Sequence, residues 1–156
     1  MLADFHTLPD SSRIWLYASE KALTTDQQNH ILTYIAEHLK GWNAHKVPLT
    51  AGVTILENHF IVVGLDENKN GASGCSIDTL QKTIQELEKD LSIALMNRLN
   101  VFCKIGEIIK VIPFFKLGSI ATSNTLFYDL TILTKADLNT FLKPISEGWC
   151  AHILPN

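Results

Sequence analysis

The stretch NGASGCSID, residues 70–78, gathers residue types that a chemically active loop needs. Gly71 and Gly74 let backbone amides approach a ligand closely, Ser73 and Ser76 carry hydroxyls, and Cys75 offers a thiol. Ser76 is a good N-cap for the amphipathic run that follows, which would leave Cys75 just outside the helix's positive end. Amide dipoles at such an end favour a thiolate, and they also receive a phosphate or carboxylate without any catalysis. The expected ligand-binding set is therefore Gly71, Ser73, Gly74, Cys75 and Ser76, with a small anion as ligand. The plain alternative is a tight turn feeding a helix, with Cys75 as a small packing residue.

If Cys75 is a catalytic nucleophile it needs a base. Of the six histidines, His30 and His38 read as exposed or boundary positions of the first helix, and His59 as a turn at the far end of its strand. His6 lies in an irregular N-terminal stretch. His45 and His152 are the candidate bases. No metal is expected, because the pair Cys150 and His152 lacks the second ligand pair of a zinc site. Asp66, Glu67 and Asp78 match no calcium-loop spacing, and no cofactor motif is present.

The segments LPDSSRIWLY, FIVVGLDENKNGASGCSID and SEGW are similar to those of a family of short, uncharacterised bacterial proteins. Members often carry the label ABC transporter ATPase, although no catalytic residue is assigned among them. The residues do not support that label. The apolar run ending in Asp66 and Glu67 resembles a Walker B strand, whose acids hold Mg²⁺ and polarise water. Phosphate transfer also needs the P-loop lysine after a glycine, and no glycine here is followed by lysine.

The chain has 156 residues, 46% hydrophobic and 19% charged, so the simplest reading is one domain spanning 1–156. A formal net charge of −3 without a basic run argues against nucleic acid as a partner. The opening MLADFHTLPDSSR lacks the features of a secretory signal, and no apolar run is long enough for a membrane span. Three cysteines without a C-x-x-C suit a reducing, cytoplasmic setting.

The elements that must hold the loop follow from periodicity. RIWLYAS alternates as a strand, and Thr24-x-x-Gln27 is a capping box opening a helix with Ile31, Leu32, Ile35 and Leu39 on its inner face. Gly41 is its stop. Two strands turned at Glu57–His59 come next, the second apolar on both faces. After the loop, Leu80, Ile84 and Leu87 should be buried against Ile61 and Val63, or against Val62 on the other face. VFCKIGEIIKVIPF reads as one strand or as a hairpin around Gly106, and Thr134-x-x-Asp137 as another capping box, opening a short helix through Leu142 that Pro144 ends. The order predicts an α+β fold, an antiparallel sheet with helices on one face, with a ferredoxin-like split βαβ core and a C-terminal extension.

The function expected from these features is non-catalytic binding of a small anionic ligand or a protein partner near residues 71–76. The alternatives are a thiol-dependent enzyme using Cys75 and a structural module that forms a homo-oligomer through a sheet edge or the tail around Trp149.

Overall fold

The computed structural model describes residues 1–154, whose contacts cluster into two compact units. The class is α+β, with antiparallel sheets and helices.

The first unit comprises Met1–Met96 with Leu133–Ala136. Its strands are β1 (Arg13–Ala18), β2 (Asn43–Ala44), β3 (Val47–Pro48), β4 (Ala51–Leu56) and β5 (Phe60–Leu65). Its helices are α1 (Thr25–Lys40) and α2 (Gly74–Leu91). β1, β5 and β4 form an antiparallel sheet in that order, with Tyr17 opposite Ile61 and Val53 opposite Val63. Glu57 and Asn58 turn the β4–β5 hairpin at φ +53° and +57°, the backbone of a type I′ turn. The Thr24–Gln27 capping box forms as its spacing requires.

Strand alternation sends Ile61, Val63 and Leu65 into one core with Ile31, Ile35 and Leu39 of α1 and Leu80, Ile84 and Leu87 of α2. Both helices therefore cover the same face. The opposite face is closed by the N-terminal segment. It passes so near Gly64 that a Cβ there would lie 2.8 Å from Leu8 Cδ1 and 2.9 Å from the Phe5 ring.

Strand order β1-β5-β4 is the first three strands of a split βαβ sheet. The strand after α2, which would complete a ferredoxin-like core, belongs instead to a second sheet. The outer edge of β1 is met by other groups: the Ala18 amide donates to Leu95 O (3.0 Å) and the Ile14 amide to Leu133 O (3.0 Å). Thr134 bridges Arg13 and stands directly before the short helix expected there. Residues Lys135–Thr140 make a 3₁₀ helix, and Leu142–Pro144 are a strand rather than the end of a helix.

The second unit comprises Asn97–Ile132 and the residues from Asp137 onward. Its strands are β6 (Asn100–Ile105), β7 (Ile108–Pro113), β8 (Leu126–Tyr128) and β9 (Leu142–Pro144), in the order β7-β6-β8-β9, with helix α3 (Phe114–Ile120). Gly106 turns the β6–β7 hairpin at φ +63°, where glycine carries no steric penalty. Val101, Cys103, Ile112, Phe127, Ile145 and Cys150 are buried in its core. Burial pushes the Cys103 thiol up to about 11, which keeps it protonated and unreactive at neutral pH. Among the described residues no helix is long and apolar enough to cross a membrane.

Candidate functional site

Helix α2 starts earlier than its sequence suggests. Its N-cap is Ser73, whose Oγ accepts from the Ser76 amide (3.1 Å), while Ser76 Oγ accepts from the Ser73 amide (2.7 Å). This is a reciprocal capping box with serine in place of the usual Glu or Gln. Ser76 also donates from Oγ to Ser73 O at 2.8 Å. Cys75 is consequently in the first helical turn, exposed, and not outside the helix.

The cap uses the serine side chains but leaves donors behind. Ser73 satisfies the amides of Ser76 and Ile77 through its Oγ and its carbonyl. The amides of Gly74 and Cys75 make no hydrogen bond with any described residue. These two N–H groups are orphan donors at the positive end of an 18-residue helix.

Two elements bring other residues to this helix end. Trp42, just after α1, donates its indole N–H to Ser76 O at 2.8 Å in a buried contact, locking the exit of α1 onto the first turn of α2. The β2–β3 hairpin then turns through His45 and Lys46, which hold φ +51° and +67°. Two non-glycine residues in the left-handed region are uncommon, and here they form the hairpin tip. The result is a groove of about 450 Å³ lined in part by His38, His45, Lys46, Ser73, Cys75 and Thr79.

Of the expected residues, Ser73, Cys75, Ser76 and His45 line this groove. Gly71 faces elsewhere: a Cβ there would meet Glu67 Oε2 at 3.1 Å, placing a carboxylate against the loop. Gly74 supplies an orphan amide as the first residue of the helix. His152 is in the second unit, where its Nδ1 is 3.2 Å from Trp149 O and its ring is tilted against Phe114. Cys75 and His45 line the same groove, and Cys75 forms no hydrogen bond to any histidine among the described residues. Asp66, the first acid of the Walker-B-like run, is buried and accepts from the Asn68 amide (3.1 Å), closing the turn after β5. Among the described residues no three His, Cys, Asp or Glu side chains group as a metal site.

Sequence reasoning missed His38 and Lys46. The periodicity of α1 did put His38 at a boundary position. Its Nε2 is buried with no hydrogen-bond partner among the described residues, and its ring lies 6.1 Å from that of Trp42. Burial lowers the His38 pKa below the usual 6.5, with the Glu86 carboxylate partly opposing the shift. A folded state that resists protonation loses stability relative to an unfolded chain that accepts it. Stability is therefore full above pH 6.5 and declines as pH falls from there toward the lower folded-state pKa. His38→Gln is expected to flatten the thermal-melting profile in the window just below pH 6.5, while leaving the acid limb from other groups in place. An unchanged profile in that window would contradict the placement of His38.

Compared with known proteins, the chain matches no family model, no curated protein and no solved structure.

Proposed function

We propose that this protein is a non-catalytic binding protein that holds a small anion, a phosphate or carboxylate group, in the groove at the start of α2. The observation that carries the reading is the pair of uncommitted amides on Gly74 and Cys75 beside a groove whose other wall includes Lys46 and His45. Helix-end amides and a nearby ammonium act in the same direction on a negative charge. Nothing in the groove requires the thiol to react. The orphan amides act through the backbone, so the identity of the side chain at position 75 matters less than its N–H.

That distinction gives the test. Inorganic phosphate should raise the melting temperature with the logarithm of its concentration above the dissociation constant, because it binds the folded chain alone. Cys75→Ala keeps the amide and should keep the effect. Cys75→Pro removes the amide at a position in the first turn where proline is tolerated, and should abolish it. Lys46→Gln should weaken binding about two- to fivefold, the equivalent of about 0.4–1 kcal/mol for an exposed charge pair. Loss of binding in Cys75→Ala would instead favour the thiol-dependent reading.

A further inference from the structure

The second unit contains a cavity of about 280 Å³ that owes nothing to the groove at α2. Its walls are Val101, Phe127, Tyr128, Leu130 and Trp149, and its polar lining comes from Arg98, Asn100 and Thr131. Val101, Phe127 and Tyr128 are buried, whereas Arg98, Thr131 and Trp149 are exposed, which makes an apolar floor beneath a donor-bearing mouth.

The SEGW motif builds one side of it. Gly148 lies so close to Phe127 that a Cβ there would stand 2.1 Å from Phe127 Cζ. Its φ of −110° is accessible to any residue, so the requirement is purely steric. With no side chain at 148, the chain passes over the Phe127 ring and sets Trp149 beside it, where the indole stacks on Phe114 at 5.5 Å. The opposite wall, Leu130 and Thr131, is anchored by Asp129, which accepts from the Thr131 amide at 2.9 Å and from Lys143 at 2.8 Å. Both walls are thus held by contacts that the cavity itself does not supply.

We propose that this cavity is a separate binding site for a small aromatic carboxylate. A cavity of about 150 Å³ admits a benzene ring, so this one has room for about two fused rings. Its apolar floor and flanking aromatics suit a flat hydrocarbon face. The polar groups lie at the mouth and not at the floor, so a ligand fits with its charged end outward. A guanidinium carries five N–H donors, so Arg98 can hold a carboxylate oxygen together with the contacts it already makes.

The test is calorimetric titration of the full chain with 2-naphthoate and with its neutral analogue 2-naphthalenemethanol, with the melting curve of each variant recorded as a check on folding. With inorganic phosphate present in excess to occupy the groove at α2, the expected result is one 2-naphthoate site per chain. Arg98→Gln should weaken 2-naphthoate about fivefold, as for an exposed charge pair, and leave the alcohol unchanged. Leu130→Trp should fill the cavity and abolish both, and Trp149→Ala, at an exposed position, should weaken both if the filled variant does not fold. Lys46→Gln, in the other groove, should change neither. Absence of binding by the folded chain would overturn the proposal, as would undiminished binding in Leu130→Trp or a loss caused by Lys46→Gln. Equal affinity for acid and alcohol would overturn the assignment of a carboxylate.

Discussion

Ile84→Ala is expected to destabilise the first unit by about 2–5 kcal/mol, the range for removing a buried branched side chain from a packed core. Ile84 is fully buried, on the face of α2 that meets α1 and the inner face of β5. Its removal takes apolar contacts from both helices together, and neither can collapse into the gap without giving up contacts of its own. Out of a total stability of about 5–15 kcal/mol, that loss decides whether α2 stays docked. Ile84→Leu conserves volume and should cost less than about 1.5 kcal/mol. Urea unfolding of the two variants separates the cases. Wild-type stability in Ile84→Ala would refute the register of α2, and with it the position of the orphan amides.

A second large effect is expected at Lys143, whose Nζ lies 2.8 Å from Asp129 Oδ2 with side chains only 18% and 8% exposed. Removing one partner of a buried pair typically costs about 3–5 kcal/mol, because a desolvated charge is left behind. Asp129 retains its bonds from Thr131, so Lys143→Met should fall near the lower limit, about 3 kcal/mol. The pH dependence has a definite sign. Burial by itself would raise the Asp129 pKa, but hydrogen bonds from Lys143 and Thr131 outweigh it and hold the carboxyl below 3.8. The stabilisation is present above pH 3.8 and is lost as pH falls through the lower folded-state value. In Lys143→Met, protonation of Asp129 relieves the buried charge, so the gap to wild type should close in acid. Asp129→Asn combined with Lys143→Met should recover part of the loss at neutral pH. A gap independent of pH would mean that Lys143 acts through packing alone.

Much of this architecture is legible in the residues. The three- and four-residue spacing of Leu80, Ile84 and Leu87 fixes the inner face of α2, and Thr24 with Gln27 marks the start of α1. The start of α2 is misread because two serines three residues apart can each cap a helix. The choice falls to Ser73, where both serines bond at once. The β2–β3 hairpin is hidden for a different reason. Its turn residues, His45 and Lys46, are not the Asn-Gly type that announces positive φ, and only the lock between Trp42 and α2 brings them to the groove. Thr134 directly precedes a short helix, as its spacing with Asp137 suggests, but that helix stops at Thr140, and Leu142–Pro144 pair with β8 instead, a long-range contact that no local pattern announces. The cavity in the second unit is lined by residues from Arg98 to Trp149, and no local pattern connects them.

The groove at α2 is the centre of the functional account, and its most direct test is where a phosphate ion lands. Titration of ¹⁵N-labelled protein with inorganic phosphate, followed by amide proton and nitrogen shifts, reports that position residue by residue. The account predicts saturable downfield movement of the Gly74 and Cys75 amides, with smaller shifts at His45 and Lys46 and none in the β6–β9 sheet. Shifts that leave Gly74 and Cys75 unmoved, or that centre on another part of the chain, would contradict it.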